Sequence, residues 1–311
     1  MYAENDGMKM ECKKETIWEK WSENPVLGGD LGVCFDLCML KENGLFKMYF
    51  SWRSRSLIAM TTSKDGVHWA APIECIAPRK TARGWEDDVN RPSVIKVGET
   101  YHMWYTGQYN PAPGIGTSHI FHAVSEDGIR FTRTADEPVL SPVEPWEKVA
   151  VMCPCVLYDR QEQLFRMWYS GGEQYEPNAI GYAESRDGMH WDKKFKDPVF
   201  QADPASPWEC HKVTACQVFP YRDQYWMFYI GFATEDLAQI GMARSKDGMT
   251  GWERSLHNPI LSPEPGGFDA DACYKPFVLK DNDRWLLWYN GRNGSCEQIG
   301  MAVFEKEDLV F

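Results

Sequence analysis

The sequence predicts an all-β fold of five four-stranded antiparallel blades, and three observations predict it. An Asp-Gly turn, SKDGVHW at residue 63, recurs as SEDGIRF at 125, SRDGMHW at 185 and SKDGMTGW at 245, so Asp65, Asp127, Asp187 and Asp247 stand 62, 60 and 60 residues apart. An aromatic line precedes each turn and returns a fifth time: FKMYFSW at 46, YHMWYTG at 101, FRMWYSG at 165, YWMFYIG at 225 and WLLWYNG at 285. Helical periodicity is almost absent. Repeated four-strand units of this length, stacked face to face around an axis, make a β-propeller.

Each period divides into strands A to D. The A strands are short apolar runs, FDLCML, RPSVIKV, CPCVLYD, ACQVFPY and KPFVLKD. The B strands are the aromatic lines, whose two-residue alternation carries bulky groups on both faces, as a strand covered on both sides requires. The C strands, as in IGYAESRDGMHW at 180, run into the Asp-Gly turn and leave it as strand D. Asp-Gly suits a two-residue hairpin because both positions tolerate positive φ. The fifth period ends at FEKEDLVF without turn or D strand. The missing strand is expected from the other end: Trp18 stands seven residues before Pro25, as Trp252 does before Pro259, Trp191 before Pro198 and Phe131 before Pro138. The N-terminal segment therefore closes the last blade, and residues 1–311 are read as a single domain. A β-sandwich is the competing fold, but it predicts no such exchange.

Composition narrows the function. Phe, Trp and Tyr make up 14 % of the 311 residues, which suits strands and sugar-binding surfaces. A net charge of −12 argues against nucleic acid or anionic membrane as a partner. The N-terminus has no apolar run of the secretory kind, and no segment approaches the ~20 apolar residues of a membrane span. A cytoplasmic protein is expected. Its cysteines are read as reduced core thiols, and no metal or other cofactor is expected, because Cys153 and Cys155 have no second pair at ligand spacing.

A single site does not need four copies of one acid, so the Asp-Gly turns are read as scaffold, as are the recurring Trp-Glu pairs at Glu86, Glu147 and Glu209. Chemistry is sought where the copies differ. The residue aligned at the A-strand entry is Asp36, Arg91, Cys153, Ala215 or Lys275 in turn. The B-to-C loops add Arg53, Gln108, Tyr109, Glu173, Tyr175, Glu235, Arg292 and Glu297 around the same mouth. Asp88, His211, Asp269 and Asp271 are also unshared, and stand with Asp36 and Glu173 as candidates. His119 and His122 are poor metal partners.

The S-x-D-G-x-x-W turns, the NPVL and NPIL links between periods and an Asp on the first inner strand resemble the five-bladed propeller glycosidases, including glycoside hydrolase families 32, 43, 68, 117 and 130. The resemblance covers essentially the whole chain. It implies that Asp36, in FDLC, is the base or nucleophile. Where the sucrose-type members carry R-D-P or E-C-P, this chain has Met152 and Cys153 before Pro154, and its fourth blade reads TAC. A histidine acid, as in family 117, makes His211 the counterpart here; phosphorylases of family 130 hold phosphate with basic residues.

The reading that follows is a glycoside hydrolase acting on a terminal sugar, a furanoside included, of a small oligosaccharide. Asp36 is its base or nucleophile, ionised if Arg91 or Lys275 is near, and Glu173 or His211 is its acid in a more apolar setting. Asp88 and Asp271 shape the pocket, Tyr109, Tyr175 and Tyr274 stack on the sugar, and Arg53, Arg91, Gln108, Lys275 and Arg292 complete the binding set. Two alternatives stand beside it: a phosphorylase, suggested by Arg53, Arg91, Lys275 and Arg292, and a carbohydrate-binding propeller without catalysis. The oligomeric state is left open.

Overall fold

Apart from three single-turn 3-10 segments, the regular elements of the computed structural model are β-strands; it describes residues 18–112, 115–174 and 177–311. In unit one, Cys34–Glu42, Leu45–Trp52, Leu57–Ser63 and Ile73–Ile76 pair antiparallel in sequence order. Unit two is Asp88–Val97, Thr100–Ala112, Ile115–Ser125 and Thr132–Arg133; unit three is Ala150–Asp159, Leu164–Gly172 and Pro177–Ser185, edged by Asp192–Lys193 and Phe200–Gln201. These two share one nine-stranded sheet because Ala150 pairs in parallel with Ser118. Unit four is Lys212–Tyr221, Gln224–Phe232, Ala238–Ser245 and Glu253–Arg254, and unit five is Ala272–Asp281, Arg284–Asn293 and Cys296–Phe304.

The outermost strand of unit five is Glu19–Lys20 from the N-terminal end. It repeats the register of the D strands elsewhere: Lys20 faces Ala302 as Arg133 faces Ala123, Lys193 faces Ala183 and Arg254 faces Ala243. The cation matters as much as the pairing. In units two to five a carboxylate no more than 1 % exposed lies beneath this strand, Glu86, Glu147, Glu209 or Asp269. Each meets a B-strand tyrosine and the outer-strand cation. Glu86 accepts from Tyr105 Oη and Arg133 Nε, both at 2.7 Å, and Glu147 from Tyr169 Oη at 2.7 Å and Lys193 Nζ at 2.6 Å. Glu209 is held by Arg254, and Asp269 accepts from Tyr289 Oη at 2.8 Å and Lys20 Nζ at 2.6 Å. Asp269, expected among the functional candidates, is therefore a buried anchor. Unit one has Phe50 at the tyrosine position and needs no such carboxylate.

The Asp-Gly turns join neighbouring units. Asp127 accepts the N–H groups of Arg130 and Ile129, which hold its carboxyl down at about 2. The Gly carbonyl of each turn receives a donor from the preceding B strand: Tyr49 Oη to Gly128 at 2.8 Å, Trp104 Nε1 to Gly188 at 2.9 Å, Trp168 Nε1 to Gly248 at 2.8 Å and Trp288 Nε1 to Gly66 at 2.9 Å. Unit four carries Phe228 at this place, a ring without a donor, opposite the unit that has no Asp-Gly turn. Trp18 packs edge-on against Phe228, with centroids 5.9 Å apart.

The A strands stitch to one another through side chains. Val94 N donates to Cys38 Sγ at 3.2 Å, Val156 N to Ser93 Oγ at 3.0 Å, Val218 N to Cys155 Sγ at 3.2 Å and Val278 N to Gln217 Oε1 at 2.5 Å. Phe277 replaces the acceptor in unit five and packs between the clusters of units one and two. All nine described cysteines are free.

Two predictions test this scaffold. Lys20→Met leaves Asp269 as a buried carboxylate without its cation, and is expected to cost about 3–5 kcal/mol in denaturant unfolding, with Lys20→Arg recovering most of it. Burial pushes His119 and His122 from 6.5 down to about 4 and about 3, so both are neutral in the fold. Below about pH 6.5 the unfolded chain takes up protons that the folded chain refuses, so stability falls with pH until the folded values are reached. Urea unfolding from about pH 7.5 to about pH 4.5 is expected to show a shallower decline in His122→Asn than in the unsubstituted chain.

Candidate functional site

Each A strand breaks its ladder at the aligned residue. The register with strand B shifts between Phe35 and Cys38, Asn90 and Ser93, Met152 and Cys155, Thr214 and Cys216, and Tyr274 and Phe277. Inside these bulges Asp36, Arg91, Cys153, Ala215 and Lys275 take φ of 51°, 57°, 52°, 36° and 48°. Left-handed backbone at a residue with a Cβ costs about 1–3 kcal/mol and persists only where the surroundings over-determine it. Part of that support is visible: Ser51 Oγ accepts the N–H of Arg91 at 2.8 Å, Thr106 Oγ1 that of Cys153 at 3.1 Å and Ser170 Oγ that of Ala215 at 2.8 Å. Ile230, at the same place in unit four, has no hydroxyl with which to repeat the bond.

Four of these five residues, Asp36, Arg91, Cys153 and Ala215, line one pocket of about 160 Å³. One wall is charged. Arg91 Nε lies 3.1 Å from Asp36 Oδ2, both side chains being nearly buried. Tyr274 Oη donates to Glu297 Oε1 at 2.7 Å, and Arg53 Nε stands 3.8 Å from Glu297 Oε2 with its guanidinium over the Phe35 ring. Arg292 donates to the Asp236 carbonyl at 2.8 Å. Burial, then Glu297, pushes the Tyr274 hydroxyl well up, so it stays a donor. The opposite wall is apolar, made by Ile230, Phe232, Ala238 and Ala272 with Cys153 and Ala215.

Several expected site residues stand elsewhere. Glu173 was expected in an apolar setting, but it is exposed and paired with Lys148 at 2.9 Å, which holds its carboxyl below the usual range. His211 is also exposed, with its N–H on the Phe232 carbonyl. Gln108 supports the pocket from behind, its Oε1 accepting from Asn90 at 2.7 Å and Arg91 at 3.3 Å. Asp88 accepts from Asn90 Nδ2 at 3.2 Å, and Asp271 from Gly294 N at 2.7 Å in a shallower hollow beside Arg292. Tyr109 gives its carbonyl to Gln174 and does not line the pocket, and Tyr175 lies outside the described residues. Lys275 was expected at the mouth. Its bulge instead sends it to a separate small cavity with Cys38, Cys155 and Cys216. The binding set missed Glu235, Asp236 and Glu297, although the differing B-to-C loops had pointed to the first and last of them.

The family model for the glycosyl hydrolases family 32 N-terminal domain matches residues 38–211 and 79–259, each more than half of the chain. The chain belongs to this glycosidase family. Among relatives, the uncharacterized protein Rv1502 of Mycobacterium tuberculosis is 28 % identical over 85 % of this chain and 89 % of its own length. A beta-1,2-mannobiose phosphorylase of Thermoanaerobacter sp. is 30 % identical over 51 % of this chain and 54 % of its own. Among solved structures, a thermostable family-43 glycoside hydrolase superposes with a TM-score of 0.70 at 18 % identity, covering 89 % of this chain and 91 % of that one. A structure from work on mannoside phosphorylases and hydrolases of family GH130 superposes with a TM-score of 0.74 at 14 % identity, covering 94 % and 95 %. The family membership makes this chain a member of a glycosyl hydrolase family, and the two superpositions show that it shares their fold.

The Asp36–Arg91 pair yields a direct prediction. Arg91→Met strands the Asp36 carboxylate in a nearly dry position and is expected to lower unfolding free energy by about 3–5 kcal/mol. Denaturant titration at neutral pH measures it.

Proposed function

We propose that this chain is a glycoside hydrolase that removes a terminal sugar from a small oligosaccharide, in the funnel of one five-bladed propeller spanning residues 1–311 and closed by its N-terminal strand. Support for the ring comes from the fifth A strand packing on the first, the Lys41–Asp281 ion pair and the Trp288–Gly66 bond. The observation that carries the chemistry is the convergence of Asp36, Glu235 and Glu297 on one pocket. Glycoside cleavage needs one carboxylate to attack or to activate water and one carboxyl group to protonate the departing oxygen.

Asp36 is assigned the first role. It is nearly buried, fixed by its bulge and oriented by Arg91. The proton donor must not be locked to a cation in the resting site. Glu297 is held by Tyr274 and Arg53, and Glu173 by Lys148, whereas Glu235 has no cation within ion-pair distance among the described residues. Glu235 is therefore assigned as the acid, the pocket carboxyl group left free of a cation to meet the departing oxygen. The apolar wall and Tyr274 supply the sugar-facing surface.

A phosphorylase is the second reading, favoured by Arg53, Arg91 and Arg292 in the same pocket. Arg91 and Arg292 already have partners in Asp36 and Asp236, which leaves Arg53 as the most accessible of the three. Asp36→Asn is expected to lower kcat by at least about 10³-fold in a chain that still folds, with a lower unfolding midpoint because Arg91 loses its carboxylate; retained turnover overturns the assignment. Glu235→Gln is expected to lose far more rate on alkyl glycosides than on nitrophenyl glycosides, whose leaving group needs no proton. Cleavage that requires inorganic phosphate selects the phosphorylase, and sugar binding without any product selects a non-catalytic propeller.

A further inference from the structure

Lys275 is the one aligned residue that does not join the pocket. It is 4 % exposed, on a backbone whose φ of 48° turns it out of the ladder. Among the described residues its Nζ has no carboxylate within ion-pair distance; Asp36, on the neighbouring A strand, is taken by Arg91. The cavity it lines measures about 20 Å³ and is walled by Cys38, Cys155, Cys216, Ser93, Gln217 and prolines. That volume holds one occupant the size of a water molecule, and excludes phosphate or a sugar.

A buried ammonium without a counter-charge is costly, so it is paired or it gives up its proton. The thiols around it do not supply the charge: burial pushes Cys38 up to about 12 and raises Cys155 and Cys216 as well. The remaining polar groups of the wall are already turned toward the backbone as acceptors. Ser93 Oγ takes the Val156 N–H, Gln217 Oε1 takes the Val278 N–H, and Cys38 and Cys155 each bridge an N–H and a carbonyl of the next A strand. None of these bonds gives the Lys275 amino group a side-chain acceptor among the described residues, and the Ser93 hydroxyl, which accepts from Val156, has its own hydrogen left to donate. Donors with a positive charge and no acceptor describe an anion site.

We propose that the small cavity beneath the pocket binds a monovalent anion of chloride size as the counter-ion of Lys275. The ion neutralises the axial lysine where the five A strands converge, and so contributes to stability by mass action. Thermal unfolding of the full chain, with chloride replaced stepwise by gluconate at constant ionic strength, tests it. Chloride and bromide are expected to raise Tm by roughly 2–4 °C over gluconate with saturation, and Lys275→Met is expected to abolish the difference. Equal Tm in all salts, or an anion effect that survives in Lys275→Met, overturns the proposal. If Lys275→Met does not fold, crystals of the unsubstituted chain grown in bromide decide: an anomalous peak in this cavity supports the site, and a cavity without one overturns it.

Discussion

Residues of five A strands line one small cavity, and beside it each strand abandons its ladder for a single residue in the left-handed region. A regular strand at this place would direct alternate side chains into the sheets above and below; the bulge takes one side chain per strand out of that alternation. Asp36 and Arg91 meet because their bulges lie on adjacent A strands, and their ion pair is a consequence of that geometry. The strain is held by neighbours: a Ser or Thr hydroxyl on the preceding B strand caps the bulge N–H in three units, and an A-strand side chain takes the next strand's N–H in four.

The outer rim obeys a different constraint, the cost of a buried carboxylate. Four units bury one, and each provides a tyrosine hydroxyl and an outer-strand cation to meet it. Lys20 brings the fourth cation from the far end of the sequence, so the N-terminal strand is bound by a charge requirement as well as by two pairs of residues in a ladder. The aromatic-to-glycine bonds between units follow the same economy. Where the Asp-Gly turn is missing, the donor is missing too, and Phe228 meets Trp18.

The pocket that results has two unlike walls. Units one, two and five contribute Asp36, Arg53, Arg91, Tyr274, Arg292 and Glu297, while units three and four contribute small and apolar groups, with Glu235 and Asp236 at the rim. This asymmetry arises from substitution at equivalent positions in a repeat: the scaffold residues recur, and the axial and loop residues diverge. A sugar, with polar edges and an apolar face, suits such a surface.

The sequence by itself determined the strand order, the period, the scaffold role of the Asp-Gly turns, the pairing of Trp18's segment with the last unit and the alignment of Asp36, Arg91, Cys153, Ala215 and Lys275. These are legible because alternation, turn chemistry and repetition are local or periodic. Tertiary structure alone decided which aligned side chains share a space. Lys275 and Asp36 have the same alignment and similar φ, yet one lines a small cavity of about 20 Å³ and the other a pocket of about 160 Å³. Glu173 and His211 sit on segments that the repeat places at the mouth, but Lys148 and solvent claim them. Asp269 looked unshared in sequence because it replaces a glutamate, and only its contacts with Tyr289 and Lys20 reveal it as the fourth member of a repeated set.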